Sequence, residues 1–124
     1  MFINNAGTAK LAGFLASTPR EHQAIHIRST PPRCCVWSYA ALAAFTPRRR
    51  GTLINIASYP RAAYAAGQQS HSASESLVLS FTRGLQEEFA DSGVRIQAVI
   101  AGGDRYRSVA DLRRGAGRLP SGTW

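Results

Sequence analysis

The sequence is poor in lysine, cysteine and acidic residues, and it has no long uninterrupted apolar run. Lys10 is the only lysine among 15 basic residues, against seven acidic ones. Cys34 and Cys35 are adjacent, which suits neither the usual ligand spacings of a zinc site nor a disulfide framework, so we expect reduced thiols. The apolar run from Cys34 to Phe45 is interrupted by Ser38 and is far shorter than the roughly 20 residues of a membrane span, so we expect no membrane contact.

Two further features are missing from the 124 residues. The first residues contain no basic start followed by a long apolar stretch, so no signal peptide is visible and we expect a cytoplasmic location. There is also no glycine-rich turn between a strand and a helix, the element that binds dinucleotide pyrophosphates. Gly102-Gly103 follows the last predicted strand, and Gly115-Ala-Gly117 lies in an irregular segment. A chain of this length predicts one domain with a modest core.

The excess of arginine gives a formal net charge of +8. A basic surface attracts polyanions such as nucleic acids. The arginines are scattered, however, apart from Arg48-Arg49-Arg50 and a group after residue 104, and no nucleic-acid motif or interleaved aromatic residues accompany them. We therefore expect no specific nucleic-acid partner. A solvated basic turn and a loose tail, or an arginine bias from GC-rich coding, account for the charge.

Three short apolar runs predict the strands of a parallel sheet. The first occupies residues 1–4, and the second has Leu53, Ile54 and Ile56 as its buried residues. The third follows Gly93 and contains Val94, Ile96, Ala98, Val99 and Ile100. Since helical patterns separate the strands, we predict parallel pairing with right-handed crossovers.

Helices are predicted between these strands. Thr18-Pro-Arg-Glu21 matches a helix start, although the helix does not continue cleanly, and Ser29-Thr-Pro-Pro-Arg33 is expected to stop it. A second helix is predicted from Val36 to Phe45. A third, over residues 71–90, carries an apolar stripe that should face a packing partner. The stripe consists of Ala73, Leu77, Phe81, Leu85 and Phe89, with Val78 beside it.

Four motifs, in order along the chain, carry a family resemblance. They are Asn4-Asn-Ala-Gly7 at the end of the first strand, Gly51-Thr-Leu-Ile-Asn-Ile-Ala-Ser58, the helix that begins near His71, and Gly93-Val-Arg-Ile-Gln-Ala-Val-Ile100. In this order and spacing they resemble the catalytic half of the short-chain dehydrogenase/reductase family, abbreviated SDR. The resemblance covers most of residues 1–103.

The resemblance implies a Rossmann-like fold that lacks one of its two halves. We expect a partial Rossmann-like α/β domain over residues 1–103, with about three parallel strands and flanking helices, followed by an irregular basic tail over residues 104–124. It also implies that the glycine-rich half, which holds NAD or NADP in the family, is lacking here. The first strand would normally pair with a strand of that half, so we expect its edge to be open.

The resemblance also assigns positions in the active site. It places Ser58 at the family's catalytic serine, whose hydroxyl would hold the substrate oxygen; alternatively, Ser58 is only a polar residue that ends a strand. His71 and Glu75 stand at the positions of the family's Tyr and Lys. In the family the Tyr transfers the proton, while the Lys holds the nicotinamide ribose and lowers the pKa of the Tyr. Thr30 lies near the position of the family's catalytic asparagine, which is absent.

The exchange of Tyr and Lys for His71 and Glu75 has several interpretations. His71 would be able to transfer a proton near neutral pH, but a negative Glu75 would repel cofactor phosphate. In structural terms, Ser72-Ala-Ser-Glu75 matches a capping box. If the helix starts earlier, His71 and Glu75 instead form a surface pair of small value at positions i and i+4. A Ser-His-acid hydrolase set with Ser58 is disfavoured because no nucleophile-elbow sequence is present.

The cofactor-binding positions implied by the resemblance lie at the ends of two strands. They are Asn4, Asn5, Ala6, Gly7 and Gly102. The first four match the family segment beside the adenine ribose, although Asn and Gly are equally typical of a simple turn after a strand. The residue before Gly102 is Ala101, where the family has a proline.

These observations predict a truncated SDR-like protein. Its family carries out NAD(P)-dependent oxidoreduction of carbonyl and alcohol substrates, and we expect that activity to be lost here. NAD or NADP is the cofactor implied by the resemblance, and we do not expect this chain to bind it alone. The alternative is a non-catalytic interaction module. It would pair with another copy or with a full-length SDR subunit through the helix at 71–90, which commonly supports oligomerisation in the family.

Overall fold

The computed structural model describes residues 1–5, 14–28, 30–58, 69–101 and 107–108. Within these ranges the strands form one 4-stranded sheet in the order β1-β2-β3-β4. The strands are β1 (Phe2–Asn4), β2 (Gly51–Ser58), β3 (Val94–Ala101) and β4 (Arg107–Ser108). The first three run parallel, and β4 lies antiparallel to β3. The predicted α/β class with three parallel strands is confirmed.

Three α-helices accompany the sheet in the described ranges: α1 (Pro19–Arg28), α2 (Thr30–Phe45) and α3 (Gln69–Glu88). Short 3₁₀ turns lie at Phe14–Ala16 and Thr46–Arg48. Of the helices that the structure describes, none has the length and apolar character needed to cross a membrane.

The start of α1 matches its prediction. The Thr18 backbone N–H donates to Glu21 Oε2 over 2.7 Å, and the Glu21 backbone N–H donates to Thr18 Oγ1 over 3.3 Å. This reciprocal pair is a capping box, which satisfies backbone donors that a helix start leaves without partners. The helix then continues to Arg28, further than its sequence pattern indicated.

The predicted start of α2 at Val36 is wrong. The helix begins at Thr30, so Pro31 and Pro32 lie in its first turn. The first turn of a helix is the one place where the missing proline N–H costs nothing, because N–H groups there have no partner within the helix. The two prolines therefore follow the end of α1 at Arg28 and lie in the first turn of α2.

The core lies on one face of the sheet. Leu53, Asn55 and Ala57 are buried, whereas Ile54 and Ile56 are half-buried, which corrects the prediction that these isoleucines form the core of β2. Successive side chains of a strand point to opposite faces, so the two sets face different surroundings. Both α2 and α3 pack on the face of Leu53 and Ala57. Their partners there are Ala41, Leu42, Ile96, Cys34 and Val78.

A chain of buried polar side chains crosses this core. Ser38 Oγ on α2 donates to Asn55 Oδ1 over 3.4 Å, and Asn55 Nδ2 donates to Thr82 Oγ1 on α3 over 3.0 Å. The Thr82 hydroxyl in turn donates to the Val78 carbonyl over 2.7 Å. Since Ser38, Asn55 and Thr82 are all 0% exposed, these bonds replace water and link α2, β2 and α3.

The predicted apolar stripe of α3 faces the core in part: Phe81, Leu85 and Phe89 are half-buried and pack against it, and Val78 beside the stripe is fully buried. The buried residues are Ser74, Glu75, Val78 and Thr82. Leu77 of the stripe is 43% exposed, and Phe81 is half-buried. Ser74, Val78 and Thr82 each follow a stripe residue by one position, which rotates the face by about 100°. Polar residues occupy the buried face because hydrogen bonds satisfy them there.

The turn before β3 requires a glycine. Gly93 has a φ of 78°, in the left-handed region, and a Cβ at this position would lie 2.4 Å from the Arg49 carbonyl oxygen. Arg49 is itself left-handed, with a φ of 49°, and its guanidinium donates to the Asp91 carbonyl over 3.0 Å. The helix predicted over residues 71–90 ends at Glu88, and Gly93 forms the turn that directly precedes β3.

Within the predicted basic tail of residues 104–124, the structure describes Arg107 and Ser108. These two residues pair with Ile100 and Val99 of β3. The rest of the predicted tail lies outside the described residues.

Two glycine substitutions test this description of the backbone. Gly84 lies inside α3, and a Cβ added there would have no atom within 4 Å, so we expect Gly84→Ala to stabilise the fold by about 0.5–1 kcal/mol through helix propensity. Gly93→Ala should destabilise it by at least about 1–2 kcal/mol, because the left-handed backbone and the Arg49 carbonyl both oppose a Cβ. Urea unfolding of both variants measures this, and a Gly93→Ala chain as stable as the parent would contradict the turn.

Candidate functional site

Ser58 ends the central strand of the described sheet. It is the last residue of β2, is half-buried, and pairs with Ala101 of β3. The carboxyl ends of parallel strands are where open α/β sheets place their ligands. The structure therefore puts Ser58 at the carboxyl-end edge of the described parallel strands.

Glu75 lies directly against this strand end. Its Oε2 accepts a hydrogen bond from the Ser58 backbone N–H, and the residue is 7% exposed. A hydrogen bond to an ionised acceptor is stronger than one between neutral groups, and a buried carboxylate needs such a partner. Glu75 thus ties α3 to the end of β2.

His71 lies one turn before Glu75 on α3. Its Nδ1 is 3.8 Å from Glu75 Oε1, too far for a hydrogen bond, and that nitrogen is buried without another partner. The predicted i, i+4 pair is therefore present, but it is not a surface pair, because the two side chains are 17% and 9% exposed. The alternative capping box at Ser72 is wrong, since α3 begins at Gln69.

Cys34 packs beneath this end of β2. It is 3% exposed and contacts Ala57 and Val78 in the core. Burial raises the pKa of the Cys34 thiol to about 11; the hydrogen bond to Ser38 acts in the opposite direction, while the charges of Cys35 and Glu75 reinforce the rise. Both cysteines are free, as predicted, and at neutral pH Cys34 is a protonated, apolar core residue.

The implied cofactor segment is described only at Asn4 and Asn5. Asn4 is 7% exposed, and its Nδ2 donates to the Cys34 carbonyl over 3.4 Å, which links β1 to α2. Asn5 is exposed. Ala6, Gly7 and Gly102 lie outside the described residues. Asn4 is therefore engaged in holding the fold together.

His22 is a residue that the sequence did not single out. Its Nε2 lies 2.9 Å from the Phe14 carbonyl, and its Nδ1 lies 2.9 Å from Ser70 Oγ at the start of α3. A carbonyl only accepts, so Nε2 carries the proton, and Nδ1 of a neutral ring accepts from the Ser70 hydroxyl. The ring also stacks on Phe14 at 4.8 Å. A contact across 48 residues leaves no local sequence signal.

These side chains do not fit the nicotinamide cofactor of the resembled family. The resemblance assigns to position 75 a lysine whose ammonium group holds the nicotinamide ribose, and this chain has instead the buried Glu75, whose side chain binds the Ser58 backbone. The arrangement does not match a hydrolase triad either. In a triad the acid orients the histidine and the histidine contacts the serine hydroxyl, whereas here Glu75 binds the Ser58 backbone. The geometry supports a tether between helix and strand.

The two cysteines offer a test of this packing. We expect iodoacetamide at pH 8 to alkylate Cys35 in the folded chain and to leave Cys34 unmodified, because Cys34 is buried and protonated. Cys34→Ser should then react like the parent, whereas Cys35→Ser should react at least about tenfold more slowly, since only the thiolate is the nucleophile. Mass spectrometry measures this. Equal rates for the two variants would contradict the placement of Cys34, and denatured chains provide the control.

Comparison with known proteins agrees with this architecture. The chain is 34% identical over 99 residues to a 4-formylbenzenesulfonate dehydrogenase of Comamonas testosteroni, a match that covers 78% of this chain and 38% of that protein. An alcohol dehydrogenase from Comamonas testosteroni that is specific for bulky-bulky ketones has a similar structure, with a TM-score of 0.69 and 25% identity. That match covers 79% of this chain and 39% of the other.

A metagenomic short-chain oxidoreductase solved in complex with NADP is also similar, with a TM-score of 0.71 and 26% identity over 83% of this chain and 47% of the other. The chain thus spans less than half the length of each of these relatives. The sequence model of the short chain dehydrogenase family matches residues 1–114. The chain therefore belongs to the short-chain dehydrogenase/reductase family, as the order of its motifs, its parallel sheet and these matches together indicate.

Proposed function

We propose that this chain is a non-catalytic member of the SDR family, which by itself neither binds NAD(P) nor catalyses oxidoreduction of carbonyl and alcohol substrates. The observation that carries the proposal is the position of Glu75. Its buried side chain accepts the Ser58 backbone N–H, at the position to which the sequence resemblance assigns the family's lysine.

The charge at this position opposes the family's chemistry in two ways. A lysine attracts the cofactor and lowers the pKa of the catalytic Tyr, whereas a carboxylate repels phosphate and favours the protonated form of a nearby base. Glu75 therefore acts against the hydride-transfer reaction.

The remaining residues do not supply a substitute. Ser58 keeps a hydroxyl at the strand end, but His71 faces Glu75 at 3.8 Å. Catalysis by positioned groups depends on the whole constellation being within about 3–3.5 Å of the reacting atoms. With the Tyr, Lys and Asn of the family all exchanged, Ser58 alone provides at most a hydrogen bond to a ligand.

Calorimetry and a turnover assay test the proposal. We expect no binding of NADH or NADPH by the folded chain up to about 1 mM, a limit that corresponds to roughly 4 kcal/mol of binding free energy. We also expect no NAD(P)H oxidation with an aromatic aldehyde or a bulky ketone, the substrate types named for its relatives. The ketone-specific Comamonas alcohol dehydrogenase serves as the positive control. Micromolar cofactor binding or turnover above background would contradict the proposal.

A second candidate function is pairing with a full-length SDR subunit through α3. The supporting observation is an open cavity of about 500 Å³ between α2 and α3, lined mainly by apolar atoms. Phe81, Leu85 and Phe89 of the predicted stripe line it, together with Leu42 and Tyr39, which is 78% exposed. Exposed apolar surface of this kind marks many protein interfaces.

Two neighbouring substitutions test this pairing. Tyr39→Asp puts a charge at the cavity, whereas Ala40→Asp puts the same charge on an exposed position of α2 outside the lining. With a full-length SDR subunit that binds at micromolar concentration in pull-down and ultracentrifugation, we expect Tyr39→Asp to weaken binding at least about tenfold, or roughly 1.4 kcal/mol. Ala40→Asp should bind like the parent. Absence of any complex, or equal effects of the two variants, would remove this candidate.

A further inference from the structure

A serine and a histidine are in direct contact where α1 meets the start of α3. Ser70 Oγ lies 2.9 Å from His22 Nδ1, and His22 Nε2 lies 2.9 Å from the Phe14 carbonyl oxygen. Because the carbonyl accepts the Nε2 proton, the lone pair of Nδ1 faces the serine hydroxyl. A nucleophile, a base within hydrogen-bond reach of it and a third group that orients the base are the parts of a nucleophilic serine site.

The imidazole ring of His22 is held in this orientation by Phe14 in two ways. The Phe14 carbonyl fixes the tautomer, so Nδ1 is the nitrogen that is able to take a proton. The Phe14 ring stacks on the imidazole, with centroids 4.8 Å apart and an angle of 26° between the planes. The base therefore needs no reorientation before it takes the proton of the Ser70 hydroxyl.

The position of Ser70 in α3 also suits a nucleophile. Ser70 is the second residue of this 20-residue helix. The first backbone N–H groups of a helix have no acceptors within the helix, and the helix dipole favours negative charge at this end. The Ser70 carbonyl accepts the Ser74 hydroxyl over 3.0 Å, which holds the backbone in place. Ser70 and His22 are both half-buried, so neither is enclosed in the core.

We propose that Ser70 is a nucleophile, with His22 as its base, and that it takes an acyl group from activated esters. Ser70 Oγ forms a bond to the ester carbonyl carbon while His22 Nδ1 takes the hydroxyl proton. The bond from that carbon to the alcohol oxygen then breaks, and the proton passes from Nδ1 to the leaving oxygen. The products are an oxygen ester of Ser70 and a free alcohol, and nothing is oxidised or reduced.

This acyl transfer is separate from the oxidoreduction whose loss is proposed above. It uses no nicotinamide cofactor, and neither Ser70 nor His22 stands at a position that the family resemblance assigns to hydride transfer. A purely structural role of the same contact would link α1 to α3 without giving Ser70 any reactivity. The two roles therefore differ in a measurable property, the rate at which Ser70 is acylated.

The experiment treats the full chain with p-nitrophenyl acetate, in a Cys35→Ser background that removes the exposed thiol. We expect a burst of one equivalent of p-nitrophenol per chain and, in mass spectrometry, one acetyl group on Ser70. Ser70→Ala should abolish the burst, whereas Ser76→Ala, at an exposed serine of the same helix, should retain it. His22→Gln keeps an acceptor for the Ser70 hydroxyl but is unable to take its proton, so it should slow the burst at least about a hundredfold.

Three outcomes would overturn the inference. They are acetyl groups spread over amines and surface hydroxyls such as Ser76, a burst at the parent rate in His22→Gln, and an equal burst from the chain unfolded in urea. Circular dichroism shows whether the variants are folded. If Ser70→Ala or His22→Gln does not fold, the position of the acetyl group in the folded parent, compared with the urea-unfolded parent, decides.

Discussion

The position of the Asn55 side chain determines how the helices sit on the sheet. An amide buried without hydrogen bonds would cost roughly 1–3 kcal/mol of folding free energy. Asn55 avoids this cost because Ser38 donates to its oxygen and Thr82 accepts from its nitrogen. Both α2, through Ser38, and α3, through Thr82, must therefore lie next to Asn55 on the same face of the sheet. The apolar contacts of Leu53 and Ala57 lie on either side of this link and reinforce the arrangement that it selects.

The candidate site is a consequence of this arrangement. Once Thr82 is held at Asn55, Glu75 lies two turns earlier on the same face of α3, at the end of β2. The side chain of Glu75 reaches the Ser58 backbone from this position. The placement of α3 thus serves a structural purpose, because it lets Glu75 join the helix to the end of β2.

The cavity between α2 and α3 and the outer edge of β1 lie in different parts of the molecule and have different physical origins. The cavity between α2 and α3 is lined by the half-buried Phe81, Leu85 and Phe89, while the fully buried face of α3 carries Ser74, Glu75, Val78 and Thr82. The β1 edge results from sheet topology, because β1 is the outermost strand of the described sheet and has one partner strand among the described residues. An occupant of the cavity would meet side chains only, whereas an occupant of the edge would also form backbone hydrogen bonds.

The amino-acid sequence by itself determines the order of strands and helices, the family and the helix start at Thr18, since local periodicity and backbone preferences encode these features. It does not determine the fully buried face of α3, because hydrogen bonds from Asn55 and Ser58 make Thr82 and Glu75 more suitable core residues than their polarity indicates. The start of α2 at Thr30 is likewise decided by the tertiary structure. Pro31 and Pro32 then lie in the first turn, where their missing N–H groups are tolerated. The contact between Glu75 and Ser58 joins residues 17 positions apart, and such pairing depends on packing rather than on local pattern.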